Sequence, residues 1–162
     1  MKAWNHRPVE IRNLFNPAFC GLLLHRAISG HGDLSPDGMP FSLTFLVLPL
    51  CLHKETRETL AEGNRSQLLR VIEMNQEVLV NFPKRASDLV PYTLEALGML
   101  LERQCIEITD AGSLRAVPNT VRKSVTGTTE SVSCQRVSRF IGKEFARIDD
   151  RVTVYTTLGV RP

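Results

Sequence analysis

The sequence has no Cys-x-x-Cys pair, no apolar run near twenty residues and no short signature of a common catalytic site. Each absence removes a class of protein. Its four cysteines, Cys20, Cys51, Cys105 and Cys134, stand singly in apolar or amphipathic segments. That distribution reads as free thiols in a reducing compartment, not as a disulfide framework. The longest apolar run, Leu43 to Leu52, is ten residues long and contains Thr44 and Pro49. A membrane span needs roughly twenty. The opening MKAWNHRPVE lacks the apolar centre of a signal peptide, so a cytoplasmic protein of bacterial type is expected. No GxSxG, Walker A, GxGxxG, HExxH or kinase-type pattern occurs. No pair of carboxylates is set by local spacing in an otherwise apolar helix. The expectation is a protein that is not an enzyme and that carries no cofactor and no catalytic residue. There is also no internal repeat and no low-complexity segment.

What is present is ordinary globular material. The 162 residues are 43% apolar and 23% charged, close to the average for folded domains and enough for one core. The reading is a single domain over 1–162, with a helical part at about 13–103 and a hairpin, basic helix and strand at about 104–162. Charge is unevenly spread. Residues 113–148 carry seven cations (Arg115, Arg122, Lys123, Arg136, Arg139, Lys143 and Arg147) against Glu130 and Glu144. The chain as a whole is only +3, so the remainder is slightly acidic. This asymmetry points the C-terminal third at an acidic partner.

Local signals set the expected elements. Residues 1–15 read as extended. Asn16 can cap free backbone N–H groups and Pro17 suits a first helical turn, which predicts a helix over 17–29 with Phe19, Leu22, Leu23, Arg26 and Ala27 at helical spacing. Gly30 is expected to end it in a left-handed conformation. After a turn-rich loop, SLTFLVLPLCLH is apolar on nearly all sides. It reads as a deep helix kinked at Pro49, because an internal proline fits a central strand poorly. KETRETLAEG is a charged helical turn ending at Gly63. Ser66 is read as the cap of a helix bearing Leu68, Leu69, Val71 and Ile72, and Asn75 as the cap of one running through Phe82 and Ala86. Asp88 and Pro91 then restart a helix over 90–103, with Leu94, Leu97, Leu100 and Leu101 inward.

Cys105, Ile106 and Ile108 precede a TDAGS turn, and Leu114 and Val117 follow it, so a hairpin is expected with Gly112 at positive φ. A helix over about 130–147 places Val137, Phe140, Ile141, Phe145 and Ile148 on one side. Arg136, Arg139, Lys143 and Arg147 lie on the other. The end, VTVYTTLGVRP, reads as a strand in which Val152, Val154 and Tyr155 pack. Helices followed at once by a hairpin give the order of a winged helix. The fold class expected is therefore α+β, mainly helical, with a winged-helix-like core, a β-hairpin, a long C-terminal helix and a short strand.

Several motifs carry chemistry in principle. Cys20 has His25 five residues on, about 140° around the helix, and a nucleophilic thiol needs a base and a lowered pKa; packing is the simpler role. Gly21 beside it can admit a neighbouring helix. Cys51 and His53 form the closest metal-type pair, but no second pair matches them, and His53 can instead serve carbonyls at a helix end. DLSPDG at 33–38 resembles the opening of a calcium loop, yet position twelve is Thr44 where a bidentate glutamate is needed. The strongest feature is the basic face of Arg115, Arg136, Arg139, Lys143 and Arg147, suited to phosphates or an acidic partner. Its plain alternative is a solvated face of an amphipathic helix. The hairpin bears no aromatic residue for base stacking, which argues against single strands.

Three stretches, RPVEIRNLFNPAFCGLLLHRAI, GMPFSLTFLVLPLCLHKETRETL and VPYTLEALGMLLERQCIEI, together with the closing LGVRP, resemble the middle component of bacterial three-component ABC systems. The likeness covers roughly residues 7–118 and the tail. The resemblance implies a defence system against phages and plasmids, with Lamassu-type systems as relatives. It implies as partners an SMC/Rad50-like ABC ATPase and a larger effector subunit, and no membrane. It leaves contact with double-stranded DNA open and supplies no active-site residue. The expected function is a non-catalytic adaptor bridging ATPase and effector. The alternatives are a free-standing winged-helix DNA-binding transcriptional regulator and a small cysteine-dependent enzyme.

Overall fold

The structure, a computed structural model, describes residues 6–9, 12, 15–63 and 67–161. It is mainly helical with a small antiparallel sheet, the α+β class expected. Asn16 and Pro17 start α1, Pro17–Gly32, as their chemistry requires: the Asn16 side chain accepts from Ala18 N at 2.8 Å and proline fills the first position. α1 runs through the middle of the molecule. Leu23, Leu24, Ala27 and Ile28 are buried on it, and so are His25, Arg26 and His31. Gly30 does not end the helix. It is buried inside it, because a neighbouring helix backbone needs the space. Gly21 likewise faces a neighbour, and a Cβ there would lie 2.9 Å from the Met99 methyl.

β1, Met39–Pro40, and a 3-10 turn at Phe41–Leu43 lead into α2, Thr44–Cys51. Pro49 sits inside α2, as expected, and nearly the whole helix is buried. α3, Lys54–Glu62, is capped by His53, whose Nδ1 accepts from Thr56 N at 3.4 Å. His53 therefore serves a helix start and not the preceding helix end. α4, Leu68–Met74, follows; the Ser66 cap lies outside the described residues. Where 1–15 is described the extended reading is overturned, since Val9 and Arg12 are helical and Arg12 N donates to Pro8 O at 3.0 Å. Asn75 closes α4 by donating to Val71 O at 2.7 Å and also precedes a helical turn. This turn is a short 3-10 helix, Gln76–Leu79, with no side-chain cap, where a helix running through Phe82 and Ala86 was expected.

Instead of two helices broken near Asp88, α5 runs unbroken over Phe82–Glu102 with Pro91 inside it. Asn81 in the left-handed region (φ 56°) and Pro83 in the first turn set its start. Only one side of α5 is buried. Leu97 and Leu100 are in the core, whereas Leu94 and Leu101 are exposed, contrary to the inward reading of all four. Arg7 forks across Glu95 of α5 at 2.7 and 2.8 Å.

The hairpin forms as read. β2, Ile106–Ile108, pairs antiparallel with β3, Ser113–Ala116, and Gly112 takes φ 77° in the turn. β1 completes the sheet on the other edge of β3, in register Met39 with Leu114. Met39, Ile106 and Leu114 turn to the core. Thr128 caps α6, Thr129–Ile148, the long helix expected at 130–147. The predicted C-terminal strand is a helix instead, α7, Arg151–Thr157. Asp149 turns left-handed, and the Asp150 carboxylate then accepts from both Val152 N and Thr153 N at 3.1 Å. That cap, with Val154, Tyr155 and Leu158 buried beneath it, outweighs the β preference of Val, Thr and Tyr. Val152 is exposed. Among the described residues no helix is long and apolar enough to cross a membrane.

Candidate basic groove

α1 and α6 cross with their backbones touching. A Cβ on Gly142 would fall 1.9 Å from Ala27 O, and one on Gly30 would fall 2.4 Å from Arg139 O. Only glycine permits such an approach. The crossing fixes the α6 residues from Arg136 to Arg147 over the C-terminal half of α1. Beside it opens a groove of about 1010 Å³, bounded by α1, β3 with the segment after it, and α6.

All five cations singled out from the sequence, Arg115, Arg136, Arg139, Lys143 and Arg147, line this groove. Arg115 arrives from the hairpin and the rest from α6. Arg26 and Lys123 join them, and Asp33 is the one carboxylate in the lining among the described residues. The row is partly paired. Asp33 accepts from Arg139 at 2.6 Å and lies 3.3 Å from the Lys143 ammonium. Arg115 meets Glu107 at 3.4 Å across the β2–β3 pair, and Arg147 pairs with Glu144. Arg136 has no ion pair among the described residues. The half-exposed pairs of Asp33 and Glu107 hold on the order of 0–1 kcal/mol each, weak enough for a polyanion to displace, whereas Glu144 is buried and also accepts from Leu68 N at 2.8 Å.

Under the groove lies a feature that helical spacing did not reveal. Arg26 is 6% exposed, and its guanidinium donates to Lys123 O at 3.3 Å, Ser124 O at 3.0 Å and Gln135 Oε1 at 3.2 Å. All three acceptors are neutral, and its Nε has no partner among the described residues. Burial and then the nearby Arg139 charge push its pKa down. His25 next to it is 5% exposed with neither ring nitrogen hydrogen-bonded among the described residues. Burial, then Arg26 and Arg139, lower its pKa to about 4. A histidine–arginine pair within an apolar helix, LLLHRAI, was the available signal. Its meaning depended on which acceptors the fold would bring near.

The remaining motifs are structural. Cys20 is fully buried, and burial pushes its thiol up to about 12, opposite to what a nucleophile requires. Asp33 of the calcium-like stretch is engaged with Arg139 and Lys143. Thr44, at the glutamate position, donates to Phe41 O at 2.6 Å within the start of α2. No group of three or more His, Cys, Asp or Glu side chains converges as metal ligands would among the described residues.

Compared with known families, the chain matches the family model described as ABC-three component (ABC-3C) system Middle Component 3 over residues 4–162. No curated protein and no solved structure matches it.

Proposed function

Because the chain belongs to the Middle Component 3 family of ABC-three component systems, we propose that it is the non-catalytic adaptor of such a complex. In this reading it bridges an SMC/Rad50-like ABC ATPase and a larger effector in defence against phages and plasmids, and it presents its basic groove to double-stranded DNA. The observation that carries the DNA contact is the gathering of Arg115, Arg136, Arg139, Lys143 and Arg147 along one groove. Lysine and arginine rows of this kind bind phosphates with steep salt dependence. The β2–β3 hairpin following α5 supports a winged-helix-like use, with Arg115 as the wing cation. Leu94 and Leu101, 48% and 37% exposed on α5, line no part of the groove and offer a separate apolar seam to a protein partner.

Co-expression with the products of neighbouring genes tests the adaptor role. Co-elution with an ABC ATPase is expected, weakened by Leu94→Asp with Leu101→Asp. Failure to bind any neighbouring ATPase overturns it. A second reading, a free-standing DNA-binding regulator, rests on the same groove. It requires the isolated chain to bind duplex DNA tightly and with steep salt dependence. Reversing Arg136, Arg139 and Lys143 to glutamate would abolish that binding. An isolated chain without duplex affinity at low salt removes this second reading.

A further inference from the structure

We propose that the groove contains a discrete phosphate site, with Arg139 and Lys143 as its clamp, buried Arg26 and His25 as its floor, and Asp33 as the internal carboxylate that fills it when no ligand is bound. The site rests on geometry and does not depend on the adaptor role. A guanidinium nine-tenths buried is costly unless an anion compensates it, yet every acceptor of Arg26 is neutral. The three acceptors tie the 123–124 segment and Gln135 around the cation but leave its charge standing. His25 adds two buried ring nitrogens with no partner among the described residues.

Above them, Arg139 and Lys143 converge on a single carboxylate. Asp33 Oδ2 takes both contacts, at 2.6 and 3.3 Å. A lone carboxylate brings one negative charge to two cations, Arg139 and Lys143, while the Arg26 guanidinium lines the same groove. A phosphate group brings more charge and more acceptor oxygens, and can accept from Arg139 and Lys143 together. The groove is open and Arg139, Lys143 and Asp33 are each about two-fifths exposed, so a ligand reaches the clamp directly. Arg26 adds its uncompensated charge from beneath, partly screened by the open groove, while His25, kept neutral by burial, lines the floor without charge.

The proposal makes Asp33 a competitor and not a support. Thermal unfolding of the full chain would be followed with increasing inorganic phosphate or sulfate, chloride holding the ionic strength constant. Saturable stabilisation by the oxyanions over chloride is expected. Asp33→Asn should tighten the apparent affinity about tenfold and Arg139→Gln should weaken it about tenfold, the scale of one charge-assisted hydrogen bond. Lys84→Gln, on an exposed cation of α5, should change nothing. Equal melting in chloride and oxyanion, or weaker binding in Asp33→Asn, overturns the site. Two further arms identify the source of the phosphate. Nucleoside phosphates that saturate the shift while a short duplex gives none place the group on a small molecule. A duplex that competes with inorganic phosphate places it on the nucleic-acid backbone. Loss of ATPase co-elution leaves these shifts unchanged, so the two proposals fail separately.

Discussion

Gly142 of α6 is packed against the Ala27 carbonyl of α1 so closely that a methyl group there would sit 1.9 Å from the oxygen. The obstructing atom is backbone and cannot swing aside. Gly142→Ala is expected to destabilise the protein by about 2 kcal/mol or more from overpacking, despite alanine's better helix propensity. Gly98 on α5 is the control, since its Cβ would meet nothing within 4 Å. Gly98→Ala should stabilise by about 0.5–1 kcal/mol. Urea unfolding of the two variants checks both signs.

Arg57 joins three elements. It is 4% exposed and donates to Cys51 O at 3.1 Å, Leu52 O at 3.2 Å and Glu130 at 2.7 Å. Arg57→Ala removes the donor for two carbonyls at the end of α2 and should cost about 3 kcal/mol. Glu130 is 70% exposed, so Glu130→Gln should cost under about 1 kcal/mol. Equal losses in denaturant melts would contradict this division.

The thiols should react unequally. Burial raises the pKa of Cys20, Cys51 and Cys134, and Cys105 is the one cysteine with partial exposure. Alkylation at neutral pH followed by mass spectrometry should give one fast adduct, at Cys105, in the native chain and four in denaturant. Fast labelling of Cys20 would revive a reactive thiol.

Acid should weaken the fold through His25. Its folded pKa of about 4 lies below the ordinary 6.5. As pH falls through 6.5 the unfolded chain binds the proton first, so stability is full above 6.5 and is lost down to about 4. The loss from this residue is on the order of 3 kcal/mol at about 1.4 kcal/mol per pKa unit. Burial lowers His31 as well and adds in the same direction. Urea midpoints between pH 7 and pH 4 should fall, and His25→Gln should flatten the fall. A midpoint independent of pH in both proteins would refute it.

What the sequence determined by itself was whatever a few neighbouring residues could settle. Asn16 and Pro17 start α1, Pro49 sits in a buried helix, Gly112 turns the hairpin, and apolar and basic residues divide α6, because caps, φ preferences and helical periodicity act within about one turn. The four groove cations of α6 were legible for the same reason, whereas Arg115 joins them because the hairpin folds beside that helix. Tertiary structure decided the rest. The chain end became α7 because Asp150 caps it and Tyr155 reaches Ser42 O at 2.7 Å from 113 positions away. Gly30 became a helix crossing because α6 lies against it. Arg26 became a buried cation because Lys123, 97 positions on, folds back to receive its hydrogen bond. Asp33 became the clamp's occupant because α6 brings Arg139 to it across 106 positions. No local pattern encodes such partners, since their energies arise only when distant segments exclude water together.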